Sequence, residues 1–256
     1  MIQQALAAAK EAAHRAGEVI LSYYSSYYEV QSKGVDNPVT TADLAANRVL
    51  HETLLAAFPE AGWLSEESAD DAARLQHDYV WIIDPIDGTK NFVRRVPFWA
   101  ILIALEEDGA VTTGVVFNPV TGELLTARKG EGAFANGERI HVSGCDRMAD
   151  AMVLHSGLRI LRTAGYWGGL ERLVDAAGRT RGFGDYYGYS LVAAGRAEVY
   201  IEADLKPWDI AAVKIVVEEA GGRLTDFSGR STIYDGTVLA SNGWLHALAL
   251  GLLTGG

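Results

Sequence analysis

The sequence predicts a layered α/β chain from three observations. Two amphipathic helical stretches come first, short apolar runs punctuated by Asp-Gly, Thr-Gly and Asn-Gly turns follow, and strand and helix patterns then alternate to the end. The expected arrangement packs a helix pair on an antiparallel sheet within residues 1–145 and adds a smaller α/β unit within residues 146–256. Functional residues are expected between the two. A chain of 256 residues buries about three quarters of its unfolded surface, enough for one large domain or two closely packed ones.

Over residues 2–24 the apolar positions Leu6, Ala9, Ala13, Ala16, Val19, Ile20 and Tyr23 recur at helical spacing, with Lys10, Glu11 and Arg15 opposite. The segment from Lys33-Gly34 to Pro38 breaks that pattern. Thr40-Thr41-Ala42-Asp43 starts a second helix, whose apolar face is expected to carry Leu44, Val49, Leu50, Leu54 and Leu55. Trp63-Leu64-Ser65 reads as a short strand, and residues 79–83, 98–106, 111–117 and 123–128 as the sheet. Asn136-Gly137 gives the strongest hairpin signal. Beyond a boundary near residues 143–150, strands are expected at 152–155, 199–201 and 238–240, and helices at 170–177, 189–194, 209–220 and 245–253.

Composition excludes several classes. A net charge of −11 argues against nucleic acid or an anionic membrane surface as partner. No apolar run approaches the roughly 18 residues of a membrane span, and Met1-Ile2-Gln3-Gln4 opens an amphipathic pattern rather than a signal peptide. The single cysteine, Cys145, forms no internal disulfide. The expectation is a cytoplasmic protein, and an acidic chain acting on phosphates would neutralise them with metal.

The chemistry centres on Trp81-Ile82-Ile83-Asp84-Pro85-Ile86-Asp87-Gly88-Thr89-Lys90-Asn91-Phe92. Two carboxylates at a strand end repel unless a cation lies between them, and Gly88-Thr89 can open a helix whose N–H groups face an anion. An ordinary Asp-Pro or Asp-Gly turn is the plainer alternative. Asp43 by itself reads as a carboxylate at a helix N-terminus, and Asp209 after Pro207-Trp208 as a helix cap. Glu66 precedes Glu67, Asp70 and Asp71, which read as a solvated acidic loop.

Together with Trp208-Asp209-Ile210-Ala211-Ala212 and Glu219-Ala220-Gly221-Gly222, that run closely resembles the two signatures of the inositol monophosphatase superfamily. The likeness continues through Lys33, Asp43, Glu66, Asn118-Pro119, Gly130-Glu131-Gly132-Ala133 and Asn242-Gly243. Its members are magnesium-dependent, lithium-sensitive phosphomonoesterases with the αβαβα sandwich of the inositol monophosphatase and fructose-1,6-bisphosphatase type.

The resemblance implies two or three Mg²⁺ ions, with Mn²⁺ as a substitute. Glu66, Asp84 and the Ile86 carbonyl would hold the first, and Asp84, Asp87 and Asp209 the second. Thr89, with Asp43 and Glu66, would orient and deprotonate the attacking water, while the N–H groups of Gly88 and Thr89 cradle the phosphate. In-line attack without a covalent intermediate leaves Cys145 and the six histidines no catalytic role. Lys33 is kept as a supporting charge only, and a homodimer is expected.

The segment Gly184-Asp185-Tyr186-Tyr187-Gly188-Tyr189 departs from inositol-type members and looks like the histidinol-phosphate phosphatase branch. Asp185 and Glu202 would then face a leaving group that carries an ammonium and an imidazole, for which added carboxylates are apt. Asp185 as a plain helix cap is the alternative. Inositol 1-phosphate is the second candidate ester, and a non-catalytic metal- or phosphate-binding regulator ranks last. Ser65 stands where a glycine commonly precedes the paired glutamates.

Overall fold

The computed structural model describes residues 2–25, 30–34 and 37–255. Helix α1 (Ile2–Tyr24) is followed by strands β1 (Val30–Gly34) and β2 (Asn37–Thr40) and helix α2 (Thr41–Ala57). Then come β3 (Gly62–Ser65), β4 (Tyr79–Asp87), the single turn α3 (Thr89–Val93), β5 (Ala100–Glu107), β6 (Ala110–Asn118), β7 (Glu123–Arg128), β8 (Gly132–Ala135) and β9 (Glu138–Ile140). The second half contains β10 (Met152–His155), α4 (Leu158–Thr163), α5 (Trp167–Ala176), β11 (Arg179–Gly182), α6 (Asp185–Ala193), β12 (Val199–Ala203), α7 (Pro207–Glu219), β13 (Arg223–Thr225), β14 (Thr237–Ser241) and α8 (His246–Thr254).

Strands β3 to β9 lie in sequence order in one seven-stranded sheet, antiparallel except that β3 runs parallel to β4. The five-stranded sheet has the order β11-β10-β12-β14-β13 and is mixed. Alternation along the strands sorts the large sheet's residues onto two faces. Trp81, Ile83, Ile101, Ile103 and Val115 pack with α1 and α2, whereas Val80, Ile82, Leu102, Ala104 and Val116 pack with Tyr186, Tyr189 and the apolar residues of α7. The far face of the five-stranded sheet covers Leu170 and Leu173 of α5 and Ala249 and Leu253 of α8. Five layers result, αβαβα, with α6 and α7 in the middle one.

Gly114 allows the middle layer to close. A β-carbon there would stand 2.4 Å from the Ile215 side chain and 2.8 Å from the Ala212 carbonyl, so α7 lies directly on β6.

Several expectations shift. Leu44 is not on the packed face of α2; it is 47% exposed, and the buried positions are Ala42, Asp43, Ala46, Leu50, Thr53 and Leu54. That spacing places Asp43 on the inward stripe and turns Leu44 out. The segment read as a break around Lys33 pairs as β1 with β2; the Lys33 side chain lies outside the described residues. Helix α6 begins at Asp185, four residues before the expected start, because Gly184 supplies its N-cap. Helix α4 and strands β11 and β13 are too short and too polar for periodicity to reveal.

Candidate active site

Strand β4 ends in a bulge. Asp84 lies opposite Leu102 and Asp87 opposite Ala100, so one extra residue is accommodated around Pro85, which has no ladder N–H to lose. Asp84 Oδ1 accepts from the Ile86 N–H at 2.9 Å. Asp87 Oδ2 accepts from the Tyr186 N–H, the first turn of α6, at 2.6 Å. Asp209 Oδ2 accepts from the Lys206 N–H at 2.7 Å, so the cap expected of it is real but engages one oxygen.

Three carboxylates from two halves of the chain thus converge, with oxygens of Asp84, Asp87 and Asp209 within 4.8 Å of one another. Among the described residues the second oxygen of each makes no hydrogen bond. Burial is the main cause that pushes all three far above the usual carboxylate range. Repulsion adds to it, from Glu66 on Asp84 and Asp209 and from Asp185 on Asp87. Such a group is held apart from charge balance until a cation enters.

Glu66 leaves the end of β3 with its N–H bonded to the Ile83 carbonyl at 3.2 Å. It sits at the edge of the cluster, acting on Asp84, and outside the trio itself. Its loop is tied from α2: Ser65 Oγ donates to Asn47 Oδ1 at 2.8 Å and Asn47 Nδ2 donates to Ser68 Oγ at 3.0 Å. The serine that replaces the usual glycine therefore has a partner.

Asp43 is almost fully buried and caps α2, accepting from the Thr40 N–H at 2.7 Å and the Thr40 hydroxyl at 2.6 Å through Oδ2. The helix-start reading thus holds for one oxygen. Burial outweighs these bonds and raises its pKa to about 7.

Gly88 adopts φ +86°, the left-handed region open to glycine, and is the N-cap of α3. A β-carbon here would also crowd the Phe98 carbonyl at 3.1 Å and Asp185 Oδ2 at 3.2 Å. The Thr89 hydroxyl donates to the Ile86 carbonyl at 2.9 Å, which joins two residues of the expected site in one bond.

Asp185 takes φ +57°, a conformation that costs a non-glycine residue free energy. Its side chain does not cap α6; Oδ2 instead accepts from Asn91 Nδ2 at 2.9 Å. The plain-cap alternative is therefore not what the structure shows. Burial raises Asp185 to about 6, countered by Lys90. Glu202 is buried on β12, accepting from the Tyr189 hydroxyl at 3.0 Å, and burial, with repulsion from Asp185, raises it to about 7.

Three supporting residues escaped the sequence reading as individuals: Asn47, Asn91 and Tyr186. Asn91 lies inside the quoted run 81–92, and the Tyr186 hydroxyl is held by Asn118 Nδ2 at 2.7 Å. Another bond joins two stretches of the resemblance, since Glu219 accepts from the Gly130 N–H at 2.9 Å and the Gly132 N–H at 2.8 Å.

The donor set suits a hard divalent cation: every converging atom is a carboxylate oxygen, each with a lone-pair site left over, with Asp84 and Asp87 buried and Asp209 partly so, where unneutralised charge is costly. No described helix is long and apolar enough to cross a membrane.

Comparisons with known proteins agree with this chemistry. Residues 1–254 match the model of the inositol monophosphatase family. The chain is 41% identical over 234 residues to a histidinol-phosphatase of Chlorobaculum parvum, covering 91% of this chain and 90% of that protein. It is 34% identical over 253 residues to an inositol-1-monophosphatase of Caulobacter vibrioides, covering 96% of each. In structure it superposes on the extragenic suppressor protein suhB of Bartonella henselae with a TM-score of 0.91 at 33% identity, over 97% of this chain and 98% of that one. The chain belongs to the inositol monophosphatase family of metal-dependent phosphoric monoester hydrolases.

Proposed function

We propose that this phosphatase hydrolyses L-histidinol phosphate to histidinol and phosphate by in-line attack of water. The observation that carries the ester assignment is the position of Asp185, whose oxygen lies beside Gly88 and which adjoins a second carboxylate, Glu202. A phosphate held at Gly88 and Thr89 would present its leaving group to this acidic side. An ammonium and an imidazole meet carboxylates favourably there, whereas a neutral polyol gains no charge pairing. The likeness to a histidinol-phosphatase at 41% identity supports the same ester.

In this reading Asp84, Asp87 and Asp209 hold Mg²⁺, joined by Glu66 and the Ile86 carbonyl, for two or three ions in all. Bound Mg²⁺ would offset the charge of the phosphate and make a water more acidic. The Thr89 hydroxyl, fixed on Ile86, would orient the attacking water, and Asp43, raised to about 7, and Glu66 would be the carboxylates available to accept its proton. The N–H groups of Gly88 and Thr89 receive phosphate oxygens. Lithium inhibition and a homodimer complete the proposal.

Inositol 1-phosphate is the second reading, favoured by the likeness to the Caulobacter protein. A phosphate-release panel separates the two, using histidinol phosphate, inositol 1-phosphate, fructose 1,6-bisphosphate and a 3′-phosphonucleotide with Mg²⁺. The expected outcome is the highest kcat/KM for histidinol phosphate. A higher value for inositol 1-phosphate would reassign the ester, and no release from any of them would remove the catalytic reading.

A further inference from the structure

We propose that Asn91 is a positioning residue that sets the preference for a cationic leaving group, acting through Asp185; the inference rests on the histidinol phosphate reading. Asn91 lies on α3, the turn that follows the bulge carrying Asp84 and Asp87. Its Nδ2 donates to two acceptors at once, the Phe98 carbonyl at 2.9 Å and Asp185 Oδ2 at 2.9 Å. Both protons of the amide are used, so the group cannot turn without losing a bond.

The second acceptor comes from the other half of the chain, and the bond orients a carboxylate on which Lys90 also acts through its charge. Asp185 starts α6 in the left-handed region, and its carboxylate makes no cap bond. The adjoining main chain is held by the Tyr186 N–H bond to Asp87, which leaves the Asp185 carboxylate to be oriented by its own contacts. Among the described residues Asn91 Nδ2 is the one hydrogen-bond donor to that carboxylate, and Oδ1 is left for a ligand. A cation in the leaving group would meet that oxygen in a fixed orientation, so ordering the carboxylate is a cost already met before binding.

Asn91 has no hydrogen bond to the metal trio. Asp84, Asp87 and Asp209 are bonded to the N–H groups of Ile86, Tyr186 and Lys206. Loss of the amide should therefore act on the choice of ester through KM rather than on the chemical step.

The test is a double-mutant cycle on the Mg²⁺-loaded enzyme, with histidinol phosphate as the cationic ester and glycerol 2-phosphate as the uncharged one. Asn91→Ala removes both donors, and Asn91→Ser retains one proton, which cannot serve both acceptors together. Each is expected to lower the ratio of kcat/KM for the cationic over the uncharged ester by about tenfold, the size of one charge-assisted hydrogen bond. The fall should lie in KM for histidinol phosphate, and adding either change to Asp185→Ala should lower the ratio no further.

Equal losses on both esters, or losses that add to those of Asp185→Ala, would reduce Asn91 to a structural support and overturn the inference. Failure of both variants to fold, read from their melting temperatures, would do the same. If Asp185→Ala itself leaves the ratio at the wild-type value, the ester assignment fails and the inference falls with it. A changed ratio for Asp185→Ala with none for the Asn91 variants rejects the inference alone.

Discussion

At the scale of single residues, Asp84, Asp87 and Asp209 are each hydrogen-bonded through one carboxylate oxygen among the described residues, with the other left to converge on the cluster. Asp84 shows the logic. Its Oδ1 is fixed by the Ile86 N–H, while burial and Glu66 make its charge unfavourable without a cation. Asp84→Asn keeps the shape and removes the charge, and kcat with Mg²⁺ is expected to fall by about 10³-fold, equivalent to about 4 kcal/mol. Metal affinity, followed by calorimetry, should weaken in parallel. An active variant that binds Mg²⁺ normally would show that Asp84 is not a ligand.

Also at this scale, Asp185→Ala should raise KM for histidinol phosphate by about tenfold or more relative to an uncharged ester, checked by steady-state phosphate release. A cap could not produce that discrimination, and the structure gives Asp185 no cap bond.

At the scale of elements, the clearest titration lies away from the site. His246, at the start of α8, is buried, with Nδ1 at 2.8 Å from Ser241 Oγ on β14 and Nε2 at 2.9 Å from Thr225 Oγ1 on β13. The Thr225 hydroxyl donates to the Asp226 carbonyl at 2.8 Å, so it accepts from Nε2–H, and Nδ1 accepts from Ser241. A second ring proton would force the Ser241 hydroxyl to turn from donor to acceptor. Burial, aided by Arg223, lowers the pKa to about 4 from 6.5. The unfolded chain then binds more protons between these values, so the contribution is complete above about pH 6.5 and is lost as pH falls towards 4. It amounts to about 3 kcal/mol at most. Urea midpoints at pH 7 and pH 5 should show that slope in the wild type relative to His246→Gln.

Elements were legible to different degrees for physical reasons. Helix α1 and strands β4 to β7 announce themselves because each buries a long periodic face. The five-layer order comes with the family resemblance, since helix pair, strand run and alternation give the elements and not their stacking. Strands of three or four residues such as β11 and β13, and the one-turn helix α4, carry too few positions for a period to register. Within the site, the acidic residue types and their motifs are visible in sequence, and their convergence needs the fold. Asn91 and Asn47 were hidden because an amide that supports a carboxylate has no pattern of its own until its partner, 94 residues away for Asp185, is brought alongside.

At the scale of the whole molecule, the clustered carboxylates tie stability to metal and pH. Asp43 and Glu202 stand at about 7 and Asp185 at about 6, all raised. The folded metal-free protein therefore binds more protons than the unfolded chain from about pH 4 to about pH 7, and this group of residues destabilises it increasingly as pH rises through that window. Mg²⁺ should oppose the loss, because the neighbouring Asp84, Asp87 and Asp209, themselves raised, would bind it deprotonated and its charge would offset the repulsion across the cluster. The rise in melting temperature on adding Mg²⁺ is expected to be larger at pH 8 than at pH 5.5, measured by differential scanning fluorimetry with and without chelator. An equal rise at both would separate metal binding from these groups.

Helix α7 lies between the two sheets, with Asp209 in its first turn and Glu219 holding Gly130 and Gly132 from its last. This has a consequence for synthesis. A growing chain completes the seven-stranded sheet by Ile140, yet the face bearing Leu102 and Val116 is not fully covered until α6 and then α7 emerge many residues later. Over that interval the nascent protein presents a broad apolar surface and lacks Asp209. Ribosome-bound chains halted before Pro207 should therefore recruit chaperones and release no phosphate, and both properties should switch together once α7 clears the exit tunnel.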